Sequence, residues 1–439
     1  MRIIRDIEAA RSTLLKRNPI EVEEVSPALK RRIKQVFGKE LSPLEAVERI
    51  IADVRSRGDS ALIDYAERID GVKLTRLQVS KKEISAAYAG VSKELLSALK
   101  LAAQRIESFH QNCKRRSWID FAEGGLGQMI QPMDRVGAYA PGGSAAYPST
   151  VLMTAIPAKV AGVREVVVTT PPQKDGTVSP ATLVAADIAG VDAVFKVGGA
   201  QAIAALAFGT KTIPKVDKIC GPGNIFVQLA KKLVYGTVGI DGLYGPTETV
   251  IIADETADPA LCAADLLAQA EHDPLSAAIL ITTSLKLATE VGKEVARQLK
   301  KLDRREIASA SLDSKGGAVV VSDMEEAIAL ANDYAPEHLS LFVGDPWHYL
   351  GEIRNAGGVF LGEESSEGLG DYVAGPSHVM PTGGTARFSS PLTVDDFVKV
   401  VSIVGLKGER LKSLHKASAV IAESEGFGGH ARSAKMRIE

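Results

Sequence analysis

At 439 residues the chain allows roughly two to four domains and a large buried core. Lys and Arg number 52 against 54 Asp and Glu, a formal net charge of -2. No overall field therefore favours nucleic acid or a membrane surface, and the basic runs at Lys30–Arg32 and Lys114–Arg116 are short and isolated.

The chain opens with Met1-Arg-Ile-Ile-Arg-Asp6, which is charged and lacks the apolar core of a signal peptide. Residues 1–40 read as helical and charged, with breaks at Pro19 and Pro27. Ser42-Pro-Leu-Glu45 is a capping box with proline at the first helical position. Leu44, Val47, Ile50, Ile51 and Val54 follow at helical spacing, and Gly58 closes that helix. A second helix runs through about Lys93 to Phe109. The uncharged run Val136 to Ala158 holds Pro141, Pro148, Pro157 and several glycines, so it reads as loop and packed backbone, not a membrane span.

From there short apolar runs alternate with helical patterns. Val166–Thr170, Asp192–Gly199 and Val216–Cys220 read as strands, each followed by a helix. After Gly245 the alternation resumes with Thr249–Asp254, Ala278–Thr282, Ala318–Val321, Leu339–Val343 and Val359–Leu361 as strands. Strands alternating with helices at this spacing predict parallel sheets in an α/β fold. The segment after Thr382 is glycine-rich and then forms short helices.

Several constellations can carry chemistry. Gln269-Ala-Glu-His272-Asp-Pro274 ends a helical run; its glutamine and histidine are three apart and share a helix face, where they can hold a metal or a polar ligand. Proline stops the helix just beyond. Glu337-His338 offers two proton acceptors of different basicity at a helix-to-strand junction. In Gly370-Asp371-Tyr-Val-Ala-Gly-Pro-Ser-His378, Asp371 reads equally as a hard metal ligand or a turn former. Glu425-Gly-Phe-Gly-Gly-His430 sets a carboxylate and a histidine five apart in a glycine-rich segment, which permits close approach of backbone and ligand or is simply mobile polar surface. Gly137–Gly143, Gly198-Gly-Ala-Gln201 and Gly221-Pro-Gly-Asn224 are glycine turns that suit a nucleotide phosphate or serve simply as tight turns; none is a full G-x-G-x-x-G. Cys113, Cys220 and Cys262 form no metal or redox spacing and fit reduced thiols in the cytoplasm, with Cys262 a small hydrophobe.

Together these motifs, with Tyr147–Met153, Gly245-Pro-Thr-Glu248 and Pro336–Leu339, resemble the histidinol dehydrogenases, zinc and NAD-dependent enzymes of histidine biosynthesis. The resemblance spans nearly the whole chain. It implies two incomplete Rossmann-like parallel-sheet domains with a small helical N-terminal segment (1–30). Residues 31–130 and 247–382 would form the first α/β domain, with the zinc and catalytic residues, and 131–246 the second, for NAD. An extended C-terminal segment (383–439) would cross to the partner of a homodimer.

It also implies one Zn2+ per subunit held by Gln269, His272, Asp371 and His430. His338 would take the alcohol proton and Glu337 would activate water. Thr247 and Glu425 would help bind substrate beside the zinc ligands and His338, and Tyr139, Gln201 and Asn224 would contact NAD. Thr247 stands where many relatives carry serine, and relatives acting on other polyols, such as sulfonated propanediols, share the scaffold. The alternative reading is therefore a zinc and NAD-dependent dehydrogenase of another small polyol. Which subunit's site His430 and Glu425 serve is left open.

Overall fold

The computed structural model describes residues 1–17, 27–122, 124–142, 146–408 and 410–438. The expected break at Pro19 and the last glycine of the first glycine turn, Gly143, lie outside them. The strands are β1 (Ile3–Ile4), β2 (Trp118–Asp120), β3 (Leu126–Pro132), β4 (Arg135–Tyr139), β5 (Glu165–Thr170), β6 (Ala193–Lys196) and β7 (Lys218–Cys220). They continue as β8 (Gly239–Ile240), β9 (Glu248–Ala253), β10 (Ala277–Thr282), β11 (Gly316–Val320), β12 (His338–Phe342), β13 (Gly358–Leu361) and β14 (Val398–Val404).

The chain forms a larger unit, residues 1–113 and 133–397, and a smaller one, residues 114–132 and 398–439. The larger unit holds two wholly parallel sheets. One runs β6-β5-β4-β7-β8 and the other β1-β11-β10-β9-β12-β13. Each has its first long strand in the centre, the next two to one side and the last two to the other. This is the doubly wound order without its sixth strand. The second sheet gains β1 at one edge, where Ile3 pairs with Ala318.

Both sheets bury both faces, which is why their strands read as continuous apolar runs. In β5, Val166 and Val168 face one core and Val167 the other. In β9, Val250 and Ile252 face one core and Ile251 and Ala253 the opposite one. Helices form where the sequence carries their signals: Ser42 and Glu45 make a reciprocal capping box on helix Pro43–Arg57.

Val47, Ile50 and Val54 of helix Pro43–Arg57 bury against Phe195 and Ile203 of the five-stranded sheet's layer. Leu99, Ala102 and Ile106 of helix Lys93–Asn112 pack on that sheet's other face. The helices between residues 43 and 112 cover their apolar stripes mainly against residues 133–240, and helix Lys93–Asn112 also packs against residues 370–375, where Arg105 donates to the Ala374 carbonyl oxygen. The N-terminal segment is not purely helical: β1 extends the six-stranded sheet, and Ala10 and Leu14 bury in its core. The uncharged run is not loop throughout, since β4 occupies 135–139 and helix Pro148–Ala161 follows, with Pro157 inside it and most of its side chains buried.

In the smaller unit β14, β3 and β2 form an antiparallel sheet, and helices Leu411–Ser424 and Gly428–Lys435 pack together. The expected C-terminal segment thus divides at Phe397, and it contains a strand as well as helices. Among the described residues, no helix is long and apolar enough to cross a membrane.

Candidate active site

The six-stranded sheet changes direction of strand order between β9 and β12, whose amino ends lie side by side with His338 opposite Thr249. Thr247, Glu248, Glu337 and His338 meet at this point. The turn into β12 is tight. Helix Met324–Tyr334 ends at Ala335, whose φ of 52° is the one left-handed value outside glycine among the described residues, and Pro336 forces the chain onward as a strand.

Helix Pro259–Ala270 brings Gln269 to the same place. It starts on an Asp258 cap with proline in the first turn, so its register is set from that end. Gln269 is buried, and its Nε2 donates to Thr247 Oγ1 at 2.6 Å. Thr247 Oγ1 donates in turn to Glu337 Oε2, which also accepts from the Glu248 N–H at 3.1 Å. The carbonyl oxygen of Gln269 accepts no hydrogen bond among the described residues.

His338 is buried with both ring nitrogens facing acceptors: Nδ1 the Glu248 carbonyl oxygen at 3.3 Å, and Nε2 Asp371 Oδ1 at 3.1 Å. Its ring stacks on Phe360, with centroids 5.7 Å apart. Burial opposes the charged ring, but Glu337, Asp371 and Glu367 outweigh it and lift His338 to about 10. Burial is also the main influence on Glu337 and carries it up to about 7, against the pull of His338 and Thr247. The Glu337 carboxylate and the His338 ring lie 3.7 Å apart, an electrostatic contact without a hydrogen bond, in which each favours the other's charged form.

Asp371 lies in a short π turn, Gly370–Ala374, and His378 Nδ1 donates to its main-chain oxygen at 2.8 Å. His272 sits just beyond the helix end, exposed, within electrostatic reach of Asp371 and His338. Glu425 caps helix Leu411–Ser424 and His430 lies on helix Gly428–Lys435; both are exposed residues of the smaller unit. The larger unit by itself therefore assembles Thr247, Gln269, His272, Glu337, His338 and Asp371.

Gln269, His272 and Asp371 present nitrogen and oxygen donors suited to zinc, with one free carbonyl oxygen among them. Among the described residues no group of three or more His, Cys, Asp and Glu side chains is arranged for a metal. The expected set includes only two such residues from the larger unit, so the donors fit a site that a fourth ligand completes.

The five-stranded sheet carries its glycine turns at the carboxyl ends of β6 and β7, beside its own switch point between β4 and β7. These turns have no room for side chains. A Cβ on Gly198 would lie 2.5 Å from the Pro171 ring, and one on Gly221 (φ 112°) would lie 2.2 Å from the Tyr139 carbonyl oxygen. Gln201 is buried with its Oε1 unpartnered. Asn224 Oδ1 accepts from the Phe226 and Val227 N–H groups, capping helix Ile225–Val234. Tyr139 is itself buried, its hydroxyl oxygen accepting from the Gly199 N–H at 3.1 Å. Bare turns at strand carboxyl ends with an unsatisfied buried amide fit a dinucleotide.

Sequence reasoning missed three groups here. Arg17 pairs with the buried Glu248. Glu367 accepts from the Thr249 hydroxyl beneath His338, has a second oxygen without a partner, and is pushed up to about 8 by burial. Asp265 lies four residues before Gln269, also raised by burial. The helical spacing of Asp265, Gln269 and His272 was a signal for the last; the others had none.

Comparison with known proteins agrees with this geometry. The sequence profile described as histidinol dehydrogenase matches residues 36–438. The histidinol dehydrogenase of Synechococcus sp. is 54% identical over 396 residues, covering 89% of this chain and 91% of that protein. That of Moorella thermoacetica is 54% identical over 397 residues, covering 90% and 94%. The crystal structure of histidinol dehydrogenase from Elizabethkingia anophelis superposes with a TM-score of 0.92 at 37% identity, covering 100% of this chain and 98% of that one.

Proposed function

The chain belongs to the histidinol dehydrogenase family, as an oxidoreductase of histidine biosynthesis that oxidises histidinol, and from that premise we propose a zinc- and NAD-dependent four-electron route through histidinal to histidine. One observation carries it: a buried carboxylate–imidazole couple held by one main-chain unit, Glu248, beside a set of nitrogen and oxygen donors.

Gln269, His272 and Asp371, with His430, would hold the zinc, which as a Lewis acid orients an alcohol and favours its alkoxide. If Asp371 held the zinc, its carboxylate would be drawn away from the His338 N–H, which would weaken that ring's hold on its proton. His338 would take the alcohol proton, and NAD, which the Gly198 and Gly221 turns would hold, would supply the hydride acceptor. Glu337, its pKa raised by burial, would take a proton from the water that adds to the aldehyde carbon, while His338 would return its proton to the aldehyde oxygen, leaving the hydrate and a neutral ring. His338 then accepts the hydrate's hydroxyl proton as the second hydride leaves. Thr247 relays the position of Gln269 to Glu337. No thiol is needed: Cys262 is wholly buried, and burial pushes it up to about 12.

Tyr139, Gln201 and Asn224 line or support the NAD side, Tyr139 acting through Gly199. Glu425 and His430 complete a site in a homodimer through the C-terminal segment. The free cysteines suit the cytoplasm.

The test is NADH formation by the zinc-loaded protein with histidinol. The expected result is two NADH per histidinol, abolished by chelation and restored by zinc. Metal-loaded protein that forms no NADH from histidinol overturns the route.

A further inference from the structure

We propose that Arg17 is the positioning residue that sets the Glu337–His338 couple; this rests on the reading that the couple acts on substrate. Leu14 and Leu15, just before it, are buried in the core of the six-stranded sheet, so the arginine starts from a fixed base. Its guanidinium then reaches two separate pieces of backbone. On one side Nε and Nη2 donate to the Tyr334 carbonyl oxygen at 3.1 and 2.6 Å, and Nη2 to that of Ala335 at 3.3 Å. These are carbonyls that the end of helix Met324–Tyr334 leaves without internal partners. The guanidinium carbon also lies 3.5 Å from the centroid of the Tyr334 ring.

On the other side Nη1 pairs with Glu248 Oε2, while Glu248 Oε1 accepts from the Gly383 N–H at 2.5 Å. The main chain of Glu248 is what holds the couple, its N–H on Glu337 and its carbonyl on His338. Arg17 thus grips the left-handed turn that launches Glu337 and His338 and also the residue that orients them. A planar fork with five donors can serve three acceptors on two segments at once, and a lysine ammonium cannot match that geometry. The side chain contributes no atom to the reacting groups, so its effect passes through Glu248 and Ala335.

The experiment uses full-length, zinc-loaded Arg17→Lys and Arg17→Ala proteins. Displacing reacting groups by about 1 Å costs on the order of a hundredfold, so kcat should fall tenfold to a hundredfold in both, with zinc content and KM for NAD unchanged. Guanidinium chloride well below denaturing concentration should restore part of the rate to Arg17→Ala and none to wild type, and sodium chloride should not substitute. An Arg17→Ala kcat within twofold of wild type overturns the proposal. So does a loss shared equally by kcat, NAD affinity and zinc content, which marks general unfolding. If wild type itself fails to oxidise histidinol, the functional reading fails. Crystal structures then decide the positioning claim: Glu337 and His338 unmoved in Arg17→Lys overturn it, and their displacement upholds it.

Discussion

Asp371 faces two ways. One carboxylate oxygen receives the His338 N–H, and the other accepts no hydrogen bond among the described residues. Burial works to raise its pKa, yet the hydrogen bond and charge of His338 win and hold it below the usual carboxylate range. An anion kept ionised in a buried place suits a cation. Asp371→Asn should therefore lose zinc on dialysis far more than it loses NAD affinity. Metal analysis beside an NAD titration checks this, and equal zinc in both proteins refutes it. At this scale the sequence was partly legible. Gln269 and His272 stood out because three-residue spacing on a helix is a local pattern. Glu337 and His338 stood out because proline marks their junction. Arg17 and Glu367 did not, because their meaning lies in partners 231 and 118 residues away along the chain.

At the scale of elements, the Gly221 turn rests on a wholly buried ion pair between Lys231 and Asp241. Asp241 accepts from the Gly221 N–H at 2.7 Å and the Gly242 N–H at 2.8 Å, and Lys231 donates to the Gly221 carbonyl at 3.2 Å. Gln228 ties Gly223 to Tyr244 in the same way. Removing one charge strands the other, at a cost of about 3–5 kcal/mol. Lys231→Met should lose that much in chemical denaturation, and Lys231→Met with Asp241→Leu should lose less than Lys231→Met alone. A loss under about 1 kcal/mol in the single variant contradicts this account.

A second pair, Lys196 to Glu83 at 2.6 Å, joins helix Lys81–Ala87 to β6. Partial burial opposes the Glu83 charge, but hydrogen bonds from Lys196 and Ser80 bring it to about 2. Its folded pKa is below the unfolded value of about 4.3, so the stabilisation is full above that pH and fades as pH falls towards 2. Glu83 is 37% exposed, so screening keeps the effect under about 1 kcal/mol. Glu83→Gln should remove this share of acid sensitivity, read as a smaller drop in urea midpoint between about pH 6 and about pH 3 than wild type shows. Equal drops would dismiss the pair.

Most parallel strands were legible because both faces are buried. Helix Pro148–Ala161 was not, since a helix buried along most of its length lacks a polar face to give it a period. The strands of the smaller unit were missed for the opposite reason: β2 is exposed at every position and β14 at most of them, so no alternation marks them.

At the scale of the whole molecule, the smaller unit exposes Trp118 (52%), Phe121 (72%) and Val404 (73%). Apolar groups of this size in one unit suit a protein interface, in keeping with the homodimer proposed above. If His430 serves the neighbouring subunit, mixing His430→Ala with His338→Asn should rebuild one working site in each hybrid dimer. Random exchange would then give about a quarter of wild-type activity from two inactive parents. No recovery after verified subunit exchange would mean that His430 acts within its own chain.

The pairing of β1 with β11 has a consequence for how the protein is made. The ribosome releases Ile3 and Ile4 well before their partners Ala318 and Val319, which emerge some 300 residues later, about 15–60 s at ordinary elongation rates. The five-stranded sheet, whose strands all lie within residues 135–240, can close during that interval. The lobe bearing Glu337 and His338 cannot, so the N-terminal strand and the arginine behind it wait, unpaired, for the last third of translation.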